Sequence, residues 1–351
     1  MKIRRMGWRH VGQVVALLQR FGEGSYQDSL LSRLGYFYVP VQHTSQCLPA
    51  PRQFVPAIYV AVANTGKVLG LIWLSPDGVI KTRWRIEQLI IDPEESPMEV
   101  GTHLVNFVVH HYGADGIQTF VALVNQRFEE ALGLLKACGF RHCTRLHTYE
   151  FQARYPQSLP TEWSLEAGTI SGLRESATSD SRALMELYHD CLPVEVRLSL
   201  EKKPADFIRP WWRDWTNRWK GGFYRRWVVC SSHTPEQPLP LLAALDLWTS
   251  NYYDYELSLM VSPAWQEGYS HLLLAALQQV LKTTASPRVR IQVFDFQKEA
   301  QKNLERLGFE WQSVAELLVK DYWLPVQSPA LARQTPILLF GGRTSPACLI
   351  R

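Results

Sequence analysis

The sequence predicts an α/β protein built from two similar halves, and three observations carry that prediction. At 351 residues the chain is long for a single core, so two domains are the better expectation. Its pattern repeats at an offset of about 170: Ile3 matches Leu173, Val14 matches Leu184, Leu17 matches Leu187 and Pro93 matches Pro263, while Gly139-Phe140 matches Gly308-Phe309 one residue closer. Within each repeat, short apolar runs of strand character alternate with stretches of helical periodicity.

The elements follow in order. KIRRM reads as a strand, and HVGQVVALLQRF sets Val11, Val14, Val15 and Leu17 on one helical face. AIYVAVA and VLGLIWL are strands around the turn signal Asn64-Thr65-Gly66. RIEQLIID is the next strand, followed by a helix through Leu104, Val105, Val108 and Val109, the strand TFVALV, and the helix QRFEEALGLLKACGF ended by Gly139. The second half repeats this with the helix RALMELYHDCL, the strands RRWVVCS, LLAALDLW and YELSLMV, the helix HLLLAALQQVL, the strand RVRIQVFDF, the helix KEAQKNLERLGF and the strand VAELLVKDY. The boundaries are 1–152 for the first domain, 153–166 for a Pro-containing polar linker, 167–325 for the second domain and 326–351 for a tail whose ILLF is a further strand candidate.

Composition narrows the class. An apolar share of 46% with 20% charged residues is that of a folded globular chain, and a net charge of +4 permits an anionic ligand while falling short of the excess that marks nucleic-acid binding, so no nucleic acid is expected. The six Cys form no CxxC pair and have no matched His spacing, which predicts neither zinc nor a disulfide framework and suits a reducing cytosol. The apolar run near the N-terminus is short and interrupted by Gln13, unlike a signal peptide, and no run reaches the length of a membrane span. The expectation is a cytoplasmic protein without bound metal. His103, His110 and His111 read as surface or structural, Cys138 as a small buried residue, and Asp295 lacks an evident partner in the sequence.

The element order, with a Pro just after the central strand and EEALGLLKACGF and KEAQKNLERLGF as the last helices, resembles the GNAT acyltransferase superfamily in tandem. The resemblance implies two GNAT-like domains, each a mixed, mostly antiparallel sheet flanked by helices, with acetyl-CoA as cosubstrate and an amine as acceptor. In that family the central strand splays from its neighbour to receive the pantetheine arm, and a glycine-rich loop wraps the pyrophosphate at a helix N-terminus, an anion site made of backbone amides. In the first half PEESPMEVGTHLV keeps one glycine of the expected three, so Ile90, Ile91, Val100, Gly101 and Thr102 are the candidate CoA-binding residues, with free N–H groups expected from Val100 to Thr102. Glu94, Glu95 and Glu99 bring negative charge toward that site, and Pro97 has no N–H. The second half, PAWQEGYSHLLL, departs further, with Gly268 out of register.

The resemblance also implies a base on the central strand and an acid for the leaving thiolate. Glu87 occupies the base position; the alternative reading is a carboxylate paired with Arg85. Leu257 stands opposite Glu87 in the second half, and the Tyr that often serves as acid is replaced by Leu135 and Leu304. The expected function is therefore acetyl transfer to a primary amine in the first half. A catalytically silent protein-binding module is the alternative.

One stretch stands apart. PWWRDWTNRWKGGFYRRW holds five of the chain's thirteen Trp, and the spacing from Ala205 predicts a helix with Trp212, Trp215 and Trp219 on one face. That face reads as core, as a cleft wall or as a docking surface for a protein partner. The matching region of the first half, Ser25 to Gln53, is rich in Tyr, Pro, Ser and Gln and is expected to cover the first acceptor cleft.

Overall fold

The computed structural model describes residues 1–21, 56–78, 82–152, 170–208, 222–231, 240–249, 251–284 and 286–322. The linker 153–166, the tail 326–351, the region 25–53 and Trp212, Trp215 and Trp219 lie outside the described residues.

The first half runs β1 (Lys2–Arg5), α1 (Trp8–Phe21), β2 (Ala57–Val62), β3 (Val68–Pro76), β4 (Arg83–Ile91), α2 (Pro97–Ala114), β5 (Thr119–Asn125), α3 (Glu129–Ala137) and β6 (Arg141–Gln152). The second runs β7 (Leu173–Glu175), α4 (Ser181–Asp190), α5 (Val194–Ser199), α6 (Pro204–Phe207), β8 (Phe223–Cys230), β9 (Leu241–Thr249), β10 (Asp254–Val261), α7 (Gly268–Thr283), β11 (Arg288–Phe294), α8 (Lys298–Arg306) and β12 (Glu310–Asp321). Gly139 and Gly308 follow α3 and α8 at φ +84° and +76°, the left-handed conformation that lets the chain turn sharply into the last strand of each half.

All twelve strands form one sheet in the order β1-β2-β3-β4-β5-β12-β6-β11-β10-β9-β8-β7. Among the described strands, only the pairs β4–β5 and β10–β11 are parallel. The last strands are exchanged: β12 closes the first half against β5, and β6 closes the second against β11. Their side chains follow, so Leu318 of β12 lies in the core beneath α2 and α3, and Tyr149 of β6 lies in the core beneath α7 and α8.

The register repeats as well. Ala315 pairs with both Asn125 and Leu146, and Leu146 with both Ala315 and Phe294, the arrangement a local twofold between β6 and β12 requires. Alternation along the strands divides the core into two layers. On β5, Phe120 and Ala122 face α2 and α3, while Val121 faces the opposite side beneath α4 to α6. On that second side α1 covers β2 and β3 through Val14, Leu17 and Leu18.

β6 was not among the elements read from the sequence, and its composition explains why. Arg141, His142, Arg145, His147 and Glu150 interrupt any apolar alternation, because the strand is held between two others by backbone pairing while its polar side chains bond to the second half. Arg290 donates to Glu150 at 2.9 Å, and Thr144 Oγ1 donates to Asp295 at 2.9 Å, which supplies the partner that Asp295 lacked in the sequence. The helix expected from Ala205 onward begins at Pro204, but its described part stops at Phe207, with Ile208 extended at ψ 120°. Pro210 lacks the N–H that would bond back to Asp206, and it biases the residue before it away from helix.

Candidate active site

The site is framed by an opening between strands. β4 pairs in parallel with β5 from Arg83 to Ile86 and no further, whereas on its other edge it stays paired with β3 as far as Ile91. The β5-facing edge of Glu87 to Ile91 is thus the wall of a cleft. At its inner end the β3–β4 register slips between Leu74↔Ile86 and Trp73↔Gln88, so Glu87 is the extra residue of a bulge. The bulge turns the carboxylate outward: Glu87 is exposed, and the Ser75 hydroxyl donates to its Oε1. Arg85 does not pair with Glu87; its guanidinium bonds to Asp77 at 3.0 Å.

The second half has the same opening without the bulge. β10 pairs with β11 only from Asp254 to Leu257, and its antiparallel register with β9 is unbroken from Tyr255 to Val261. Matching the two registers places Leu257 at Ile86 and Ser258 at Gln88, so Glu87 has no counterpart. The sequence alignment of Leu257 with Glu87 is corrected accordingly, because a bulge inserts one residue into one copy only.

Beyond the cleft, α2 starts earlier than the candidate loop implies. Ser96 is the N-cap, its Oγ accepting from Glu99 N–H at 3.4 Å, and Pro97 occupies the first helical turn. Val100 N–H therefore donates to the Ser96 carbonyl at 3.1 Å, and Val100, Gly101 and Thr102 lie inside the helix rather than presenting free N–H groups. Gly101 serves packing: a Cβ there would come within 2.2 Å of Leu134 Cδ1 and 2.8 Å of Ile91 Cδ1. Thr102 bonds to the buried Cys138 thiol, whose pKa burial raises. Met98 and Glu99 are exposed at the helix start.

Two cations offset part of the acidic charge before α2. Lys67 Nζ bonds to Glu94 at 2.8 Å, to the buried Asp92 at 3.1 Å and approaches Glu95 at 3.9 Å, while Arg20 lies 3.8 Å from Asp92. Burial pushes the Asp92 carboxyl up, but the Lys67 bond, the Glu94 N–H and Arg20 outweigh it and hold the carboxyl below its ordinary value. Lys67 is raised in turn, by Glu94 first and then Asp92. No alignment within the loop reveals this, because Lys67 and Arg20 come from β3's entry and α1.

At the matching point of the second half the indole of Trp265 lies against the first residue of α7, 2.3 Å from where a Cβ on Gly268 would be. Leu135 and Leu304, at the two acid positions, are buried core residues. His103, His110 and His111 are exposed, with His111 stacked on Phe107 at 5.7 Å, and no group of three or more His, Cys, Asp or Glu among the described residues is placed to hold a metal ion. No helix among the described residues is long and apolar enough to cross a membrane.

Residues 30–140 match the family model of the Acetyltransferase (GNAT) family. That match covers part of the first half of the chain. It is similar in structure to a tandem GNAT protein from the clavulanic acid biosynthesis pathway, with a TM-score of 0.56 at 15% identity over 92% of this chain and 99% of that one. A GCN5-related N-acetyltransferase from Sphaerobacter thermophilus gives a TM-score of 0.59 at 13% identity, covering 92% of this chain and 96% of its own. The glucosamine N-acetyltransferase region of a fungal multi-domain beta-N-acetylglucosaminidase gives 0.56 at 12%, over 91% of this chain and 38% of that larger one. No curated protein matches the sequence. The chain thus has the fold of tandem GNAT proteins.

Proposed function

We propose that the first half transfers an acyl group, most simply acetyl, from acyl-CoA to a primary amine, and that the second half shapes and supports it. The observation that carries this reading is the conjunction at Glu87: an exposed carboxylate on a bulge, held by Ser75, where β4 parts from β5. When bound, acetyl-CoA supplies the activated acyl carbonyl. The fit favours the first half, since β4 parts from β5 there, Lys67 and Arg20 offset part of the acidic charge before α2, and the exposed N-terminus of α2 offers a positive dipole end. Ile90 and Ile91 would flank the pantetheine arm. Ser96 and Met98, at the start of α2, replace Val100 to Thr102 as the residues nearest an incoming phosphate. In the second half Trp265 stands at the equivalent helix start.

Glu87 would accept the proton of the acceptor ammonium, with the Ser75 hydroxyl holding one oxygen of its carboxylate. Leu135 provides no acid for the leaving thiolate, so that proton would come from water or from the acceptor side. The free thiols of Cys138, Cys143, Cys191 and Cys230 fit a reducing, cytoplasmic setting. A protein partner at Trp212, Trp215 and Trp219 has no structural support, since these residues lie outside the described ones.

Calorimetric titration with acetyl-CoA, coupled to thiol release with a panel of primary amines, tests the reading. Ser96→Asp keeps the cap and adds one negative charge at the α2 start, and is expected to weaken acetyl-CoA about tenfold. Gln266→Glu, at the start of α7, is expected to change nothing. Glu87→Gln should keep acetyl-CoA affinity and lose about 10²–10⁴ in kcat. Absence of acetyl-CoA binding to the native chain would overturn the proposal in favour of a catalytically silent GNAT protein.

A further inference from the structure

One corner of the first half gathers positive charge that the candidate site does not use. Residues 1–21 hold Lys2, Arg4, Arg5, Arg9 and Arg20 and no Asp or Glu. β1 is the outermost strand of the sheet, and α1 follows it closely. Side chains alternate along a strand: Ile3 packs into the core beneath α2, while Met6, just past β1, is buried with Val14 and Leu17 beneath α1. Lys2 and Arg4 therefore point to the α1 side, where Trp8 and Arg9 open the helix. All four lie at one edge and on one side of the sheet.

These side chains face outward. Lys2, Arg4 and Arg9 are exposed, and the Trp8 indole is 60% exposed, a large apolar area for a helix start. Among the described residues Lys2, Arg4 and Arg9 form no ion pair, unlike Arg20 and Lys67, which face Asp92 and Glu94. The corner is also fixed in shape. Gly7 N–H donates to His10 Nδ1 at 3.1 Å, and His10 N–H donates to the Gly7 carbonyl at 2.9 Å. Gln13 fastens α1 to the β2–β3 turn, donating to the Gly66 carbonyl at 3.3 Å and accepting from Val68 N–H at 2.8 Å. Charge on an edge strand discourages pairing between chains, but either sign serves that purpose and neither calls for an exposed indole.

We propose that this corner docks on an anionic lipid bilayer, with Trp8 in the headgroup layer and Lys2, Arg4 and Arg9 against the lipid phosphates and carboxylates. An indole joins an apolar body to one polar N–H, which suits the boundary between headgroups and acyl chains, and each cation held near an anionic surface adds its own attraction. From His10 to Gln19 α1 has no Lys, Arg, Asp or Glu, so the helix beside Trp8 sets no acidic charge against that surface. A single ring among cations at the outer edge of a sheet suits a plane. A nucleic-acid strand would call for rings and cations in succession along a groove. Docking is independent of acyl transfer by the first half.

The test is co-sedimentation of the full-length protein with phosphatidylcholine vesicles made with and without phosphatidylserine, beside a titration with poly(U) RNA in the same buffer. The protein is expected to partition onto the vesicles containing phosphatidylserine, less so as salt is raised, and to leave pure phosphatidylcholine in solution. Combining Lys2→Gln, Arg4→Gln and Arg9→Gln should weaken the partition by at least about tenfold. Trp8→Ala should weaken it by at least about threefold, and Lys302→Gln, at an exposed lysine of α8 in the second half, should leave it unchanged. If Trp8→Ala fails to fold, the combined charge variant, whose three positions are all exposed, decides alone. No partition onto phosphatidylserine vesicles, equal partition onto both kinds, unchanged partition of the charge variant, or tighter binding to poly(U) would overturn the proposal.

Discussion

Leu146 of β6 lies opposite Ala315 of β12, and the offset of 169 that relates the two halves carries one residue onto the other. The local twofold passes between them, and every pair on one side has its counterpart on the other: Glu310↔Glu150 answers Val319↔Arg141, and the bulge at Gln312 answers that at Cys143. The two halves are therefore interlocked, each borrowing the strand that completes its part of the sheet.

Interlocking predicts one cooperative unit. Leu318 is fully buried in the core of the first half although it belongs to the last strand of the second. Leu318→Ala is expected to cost about 2–5 kcal/mol, and calorimetry should show a single transition moved to lower temperature. Residues 1–152 expressed alone should show no cooperative unfolding, because β5 would lose β12. Two separate transitions in the native chain would contradict this.

Gly101→Ala tests whether that glycine serves packing. The new methyl would meet Leu134 Cδ1 at 2.2 Å, and overpacking of this kind costs about 1–3 kcal/mol. Adding Leu134→Ala should relieve the clash, so the double variant should lose less stability than the two single losses combined. An independent phosphate-binding role would leave stability nearly unchanged and show only in acetyl-CoA affinity.

The sequence made the order of elements legible because most strands and helices carry their own periodicity, and Gly139 and Gly308 mark the helix ends by a conformation that few other residues adopt. The exchange of β6 and β12 was not legible: polar residues hide β6, and pairing between strands so distant in sequence leaves no local pattern. At the site, Glu87 could be picked from its place on the central strand, but its bulge could not, since a one-residue slip is visible only in the register. Lys67 escaped notice because its partners lie 25 to 28 residues away, across the turn from β3 to the loop after β4.

The Asp92–Lys67 pair predicts an acid limb in the stability profile. The folded carboxyl is held below its ordinary value of 3.8, so its contribution is complete above that value and is lost as pH falls through the lower folded pKa. Asp92→Asn should flatten this limb of the profile, measured as thermal midpoint against pH. An identical slope in both proteins would mean that Lys67 does not hold Asp92 in solution.

Arg83 predicts a dependence of the candidate site on the second half. Its guanidinium bonds to Asp77 at 2.7 Å and to the Glu201 carbonyl at 2.8 Å, and its side chain is almost wholly buried, so it ties the β3–β4 hairpin to the connection before α6. Removing either side of a buried pair leaves the other uncompensated, at a cost of about 3–5 kcal/mol in the worst case. The two removals are not equivalent. Arg83→Met leaves Asp77 with Arg85, whereas Asp77→Ala leaves Arg83 with only a carbonyl, so the second should destabilise more. The double variant should lose less than the sum of the single losses, which a double-mutant cycle by denaturant unfolding would measure. Because the same hairpin carries Ser75 and Glu87, loss of the tie should also lower turnover with any amine acceptor beyond what reduced stability explains, and strict additivity with unchanged turnover would show that the hairpin holds its shape without the second half.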